Sequence, residues 1–173
     1  MEDAYIAVGL AVAALGAGLL LGLPSLDGAT GAMGVDRVGA PGSAHVHASF
    51  AVAVNGSAVE LGPAYWERAR RVHLHGNDSV LHVHATNVDL GYALRTLRIT
   101  ANATCLRFGI ENRAACGGVG VRINGETVGL DAALDRTVRQ GDRILLWAGA
   151  EPPGGVPPEL PPEYREPAPG RSV

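Results

Sequence analysis

Arg71-Val-His-Leu-His-Gly-Asn-Asp-Ser-Val-Leu-His-Val-His-Ala85 is the stretch around which the rest of the chain can be placed. Two His-x-His pairs, His73/His75 and His82/His84, flank a Gly-Asn-Asp-Ser turn. A strand sends successive side chains to opposite faces. Each pair therefore puts both imidazoles on one face, with Val72, Leu74, Leu81 and Val83 on the other. Folding at Asn77-Asp78, with a two- or a four-residue loop, pairs residues whose numbers sum to 155. His73 then stands opposite His82, Leu74 opposite Leu81, and His75 opposite Val80. Cross-strand neighbours approach to about 4.5–5.5 Å at Cβ, close enough for two imidazoles to share one ion.

A third pair, His45/His47, opens an earlier strand, His45-Val-His-Ala-Ser-Phe-Ala-Val-Ala-Val-Asn-Gly56. Val46, Ala48, Phe50, Val52 and Val54 form its apolar face. The other face, His45, His47, Ser49, Ala51 and Ala53, is small and leaves the imidazoles uncrowded. These three pairs account for all six histidines of the chain.

The 173 residues are 47% hydrophobic, with 24 Gly, 11 Pro and a net charge of -3. That length holds one ordinary domain with appendages. The slightly acidic balance, the lack of a basic cluster and the scarcity of aromatic residues argue against a nucleic-acid partner.

Residues 4–23, from Ala4-Tyr-Ile-Ala through Leu-Leu-Leu-Gly-Leu23, form an uncharged apolar run. About twenty such residues span a bilayer core as a helix. A cleaved signal peptide is the competing reading. The flank is Glu2-Asp3 rather than basic, and the run exceeds a usual signal-peptide core, which favours a retained anchor. Gly18-Leu-Leu-Leu-Gly22 has a spacing that brings two such helices together, so a homodimer or a membrane-protein partner is compatible with it.

Cys105 and Cys116 are the only cysteines, and their spacing fits neither a redox CxxC motif nor a zinc knuckle. A disulfide between them would place the domain outside the cytoplasm; the alternative is two buried thiols. Sequons at Asn55, Asn77 and Asn102 agree with an external location. Residues 24–43, rich in Gly, Ala and Ser, read as a linker. The proline-dense residues 151–173 read as an extended, disordered tail without a core of its own.

The folded unit is then residues 44–150. Asn55-Gly56 and Asn124-Gly125 are hairpin turns. Asn87 is the expected N-cap of a helix that turns Leu90, Leu94 and Leu97 to one side. Strands are expected at residues 99–108, 119–123 and 143–148. Val52-Ala-Val-Asn-Gly-Ser-Ala-Val-Glu-Leu61 echoes Val121-Arg-Ile-Asn-Gly-Glu-Thr-Val-Gly-Leu130, which suggests two similar hairpins within one domain.

This order, with the closing Thr-Val-Arg-Gln-Gly-Asp-Arg-Ile-Leu-Leu-Trp-Ala-Gly149, resembles ubiquitin-like and sulfur-carrier-like β-grasp domains. The anchor, His-Val-His-Ala with Asn-Gly, His-Val-His-Ala-Thr-Asn-Val-Asp-Leu-Gly-Tyr and Gly-Asp-Arg-Ile together resemble membrane-anchored extracytoplasmic β-grasp proteins of archaea. The resemblance covers about residues 45–149. It implies an α+β fold with a β-grasp-like mixed sheet and one main helix, and a location outside the cytoplasm, but no activity. Sulfur-carrier chemistry needs a C-terminal Gly-Gly, whereas this chain ends Gly-Arg-Ser-Val173.

Imidazoles suit zinc and copper, whereas calcium and magnesium prefer oxygen. Copper(II) or zinc is the expected ion, held by His73, His75, His82 and His84. His45 and His47 complete the set if the first strand pairs beside this hairpin. Alternatively, the histidines are the metal-free polar face of a two-sided sheet in an interaction module, or a cluster that senses pH. Three histidines and a water also make a hydrolytic zinc site. Catalysis usually adds a positioned acid or base. Asp78, Asp89 and Glu60 lack a spacing that commits them to that work, so an enzyme is not indicated.

Overall fold

The computed structural model describes residues 37–65, 69–74, 79–152, 154, 157 and 159–165. The expected anchor and most of the expected linker lie outside these residues, as does His75. Among the described residues no helix is long and apolar enough to cross a membrane.

Alternating apolar residues make β1 (Val46–Val54), the first long strand, which turns at Asn55-Gly56 into β2 (Ser57–Ala58). A single 3-10 turn, Pro63–Tyr65, leads to β3 (Val72–Leu74) and β4 (Val80–Val83). Their register is Val72 opposite Val83, His73 opposite His82 and Leu74 opposite Leu81, so the pair sum of 155 holds. Val72, Leu74, Leu81 and Val83 are all buried, as the alternation requires.

Helix α1 (Leu90–Thr96) follows. Its N-cap is Asp89, whose Oδ1 accepts from Tyr92 N at 2.5 Å, not the expected Asn87. Asn87 instead adopts φ 58, the left-handed conformation that Asn tolerates, and serves the turn before the helix. Leu90 and Leu94, together with Leu97 just past the helix, are buried.

The expected single strand over 99–108 is two: β5 (Ile99–Ala101) and β6 (Cys105–Phe108) pair antiparallel with each other. Asn102 causes the reversal, because its Oδ1 accepts from Thr104 N, Thr104 Oγ1 and Cys105 N, a local turn that competes with continued strand. Strand β7 (Arg113–Cys116) completes this three-stranded sheet, with Cys105 directly opposite Cys116 and disulfide-bonded to it. The Tyr65 hydroxyl donates to the Glu111 carboxylate, tying the 3-10 turn to the β6–β7 loop.

Strand β8 (Val119–Ile123), strand β9 (Glu126–Val128), the short helix α2 (Leu130–Leu134) and strand β10 (Arg143–Ala148) close the fold. The main sheet runs β3-β4-β1-β10-β8-β9 with β2 beside β1, and only β1 and β10 are parallel, so the fold is α+β with a mixed sheet. The two echoing segments are two-residue hairpins: Asn55 and Gly56, like Asn124 and Gly125, all have positive φ. Their turn amides cap opposite ends of β10, Asn55 N donating to Ala148 O at 2.9 Å and Asn124 N to Arg143 O at 2.9 Å.

One face of the main sheet presents Ala48, Phe50, Leu81, Ile144, Leu146 and Val121 to a core shared with α1 and the disulfide-bearing sheet. Each large side chain so buried contributes about 1.5–3 kcal/mol of transfer free energy. Because successive residues of a strand alternate, the histidines must line the other face.

Asp142 fixes the turn into β10. It is 4% exposed; Oδ1 accepts from Asn124 Nδ2 at 2.8 Å and from Arg136 Nη2 at 3.3 Å, and Oδ2 from Arg139 N at 2.9 Å.

The C-terminal segment differs from the expected free tail. Pro157 and Leu160 are buried, and Arg143 donates to Pro157 O through Nε at 2.9 Å and Nη2 at 2.6 Å. Gln140 Nε2 donates to Tyr164 O at 2.7 Å. Apolar Leu160 and Tyr164 among the prolines supply what a solvated polyproline tail lacks, namely surface worth burying.

Candidate metal centre

Strand β4 lies between β3 and β1, so His82 faces His73 on one side and His47 on the other. This makes a row of three imidazoles across three strands. A second row is formed by His84, just past β4, and His45, just before β1, whose rings are 4.7 Å apart. Within and between the rows, centroid distances are 4.6 Å for His47–His82, 4.7 Å for His45–His47, 5.0 Å for His73–His84 and 5.4 Å for His73–His82. The sequence-derived set thus converges in five of its six members, with His75 outside the described residues.

Two groups have ligand nitrogens within 4.8 Å of one another: His45, His47 and His82, and His73, His82 and His84. Nitrogens about 2.0–2.1 Å from a tetrahedral ion stand roughly 3.3 Å apart, a separation within reach of side-chain rotation. Both groups contain only imidazole among the described residues. Neutral ligands leave the full charge on a bound dication, which strengthens its action on a coordinated water.

Supporting contacts orient the rings. His73 Nδ1 lies 3.2 Å from Ala69 O. With the proton on Nδ1, Nε2 would be the nitrogen that binds a metal, the arrangement metal-ligating histidines usually adopt. His47 is 4% exposed, and its Nδ1 is buried without a hydrogen-bond partner. A buried orphan nitrogen is costly to leave unsatisfied, and coordination would satisfy it.

Burial, and then the charge of neighbouring His45, lower the His47 pKa, against a backbone hydrogen bond with Tyr164 that raises it. His84 is lowered by burial first, then by His73, His45 and His47. Both shifts favour the neutral, metal-competent imidazole.

Sequence reasoning missed two parts of the site. Tyr164 lies against the site, its ring centroid 5.0 Å from His47 and 5.1 Å from His82. Gln140 holds it there: Oε1 accepts from His47 N at 2.8 Å while Nε2 donates to Tyr164 O and, at 3.2 Å, to Arg165 O. The expected open, uncrowded face is therefore covered, with His47 4% and His82 6% exposed. The available signal was an aromatic residue standing alone in a proline-rich segment.

Of the carboxylates considered for catalysis, Asp89 is engaged at the helix cap, Glu60 is exposed, and Asp78 lies outside the described residues. A cavity of about 330 Å³ lined by Tyr65, Val72, Thr96, Leu97, Arg98 and Ile110 is not lined by histidine. Ala69, whose carbonyl contacts His73, also lines it. No family model matches the chain, and no curated protein or solved structure is similar enough to match it.

Proposed function

We propose that the chain is a membrane-anchored, extracytoplasmic metal-binding protein that captures or delivers copper(II) or zinc through its clustered histidines. The observation that carries this is the convergence of five imidazoles, from three adjacent strand segments, on one face of a sheet. Rigid neighbouring strands supply ligands at little entropic cost, which a set of scattered surface histidines does not.

A β-grasp assignment is part of the proposal. It is supported by the parallel β1/β10 centre, the antiparallel strands on either side and the helix α1 packed into the core on one face. The Cys105–Cys116 disulfide supports a location outside the cytoplasm, where such bonds persist. The uncharged run at residues 4–23 supports a retained anchor.

Calorimetric titration of the full chain in detergent with copper(II) or zinc tests the function. Saturable binding that disappears in a His73→Ala/His82→Ala variant supports it. No saturable heat with either ion would leave an anchored interaction module with metal-free histidines.

A further inference from the structure

We propose that the histidine patch is two alternative three-ligand positions sharing His82, so that one chain carries one divalent cation at a time and moves it between them. This rests on the metal-binding reading and adds stoichiometry and a route. The position toward β3 uses His73, His82 and His84; the position toward β1 uses His45, His47 and His82. A neutral imidazole has one nitrogen lone pair in the ring plane, and its other nitrogen carries the proton. His82 therefore ligates one ion at a time, through that one nitrogen.

Geometry enforces the same choice. In each group the nitrogens lie within 4.8 Å of one another, against roughly 3.3 Å around a tetrahedral ion. Contraction around an ion on one side draws His82 toward that side and opens the other group further. Two dications flanking one ring would also repel each other strongly in a buried setting.

The two positions share His82 and differ in the exposure of their other rings. Tyr164 lies against His47 and His82, the two buried rings of the β1 position, whose third ring, His45, is exposed. His73 and His84, which complete the β3 position, are each only half-buried. An ion arriving at the β3 position keeps its bond to His82 while His45 and His47 replace His84 and His73. The 4.7 Å contact between the His45 and His84 rings makes the first replacement short. The ion changes ligands without leaving the protein, and no bond other than metal–nitrogen forms or breaks.

The test uses the full chain in detergent, titrated with zinc chloride and read by native mass spectrometry and calorimetry. One zinc per chain is expected in the parent. His73→Ala/His84→Ala and His45→Ala/His47→Ala should each still bind one zinc, weakened by about ten-fold or less, because each retains a whole position apart from the shared ring's alternatives. His82→Ala should weaken binding by more than the roughly 100-fold that loss of a supporting hydrogen bond can cost. Two zinc ions in the parent chain, a measurement that needs no variant to fold, would overturn the shared-ring proposal while leaving metal binding intact. So would loss of all binding in one double variant whose circular dichroism matches the parent. Failure of the parent chain to bind either zinc or copper(II) would overturn the metal-binding reading itself.

Discussion

Replacing both cysteines, as Cys105→Ala/Cys116→Ala, removes the covalent tie between β6 and β7. The sulfurs join residues 11 apart in sequence, closing a loop of about 12 residues. In the chain-entropy account, such a loop withholds roughly 9–10 cal/mol/K from the unfolded state, or about 3 kcal/mol at 25 °C. Lost packing adds little, because Cys105 is half-buried and Cys116 exposed. For a folded unit of this size each kcal/mol moves the melting temperature by roughly 3–5 °C, so the variant should melt roughly 10 °C lower. Urea unfolding followed by circular dichroism, with and without reductant, provides the assay. The parent with reductant should match the variant, and the variant should ignore reductant. A loss under about 1 kcal/mol would refute the reasoning, since it would mean that the unfolded chain is already confined around this hairpin.

Three further outcomes are expected. Gly120 lies against Trp147, where an added Cβ would stand 2.1 Å from Cζ2; Gly120→Val should cost about 1–3 kcal/mol by overpacking, and an unchanged urea midpoint would contradict that contact. Asp142→Ala leaves the Asn124 amide and Arg139 N–H without their acceptor and should cost about 2–3 kcal/mol, with Asp142→Asn recovering part of it; equal losses in the two would show that the acceptor oxygens are not what matters. Burial and neighbouring imidazoles hold the His47 and His84 pKa values below 6.5, so below that pH the unfolded chain binds more protons than the folded one. The stability contributed by these two groups is therefore intact above about pH 7 and is lost as pH falls toward 5. Urea midpoints across that range check it, and His47→Gln should flatten the slope; a midpoint that rises on acidification would reverse the sign argued here.

What could be read from the sequence was what local chemistry decides. The His73/His82 register follows from alternation around one turn, and the two Asn-Gly hairpins from residues that accept positive φ. The cysteines pair because β6 and β7 are neighbours along the chain. Legibility fails where a short polar side chain chooses between equivalent local roles. Asn102 turns the chain that its flanking residues would continue as strand, and Asp89 caps α1 where Asn87 was expected. It fails again where distant segments meet. Nothing local says that Gln140 joins His47 to Tyr164 across 93 and 24 residues of sequence, or that a proline-rich end would lie against two imidazoles. The candidate ligands were therefore visible from their spacing, whereas their division into two groups and their cover were not. Both depend on β1 pairing with β4, a contact of long sequence separation.

X-ray absorption at the metal edge of the full chain loaded with one equivalent of zinc reads the ligands themselves. The account predicts three imidazole nitrogens at about 2.0–2.1 Å, with the outer-ring scattering that identifies histidine. A first shell made of oxygen with no imidazole signature, or a single histidine completed by water, would contradict it.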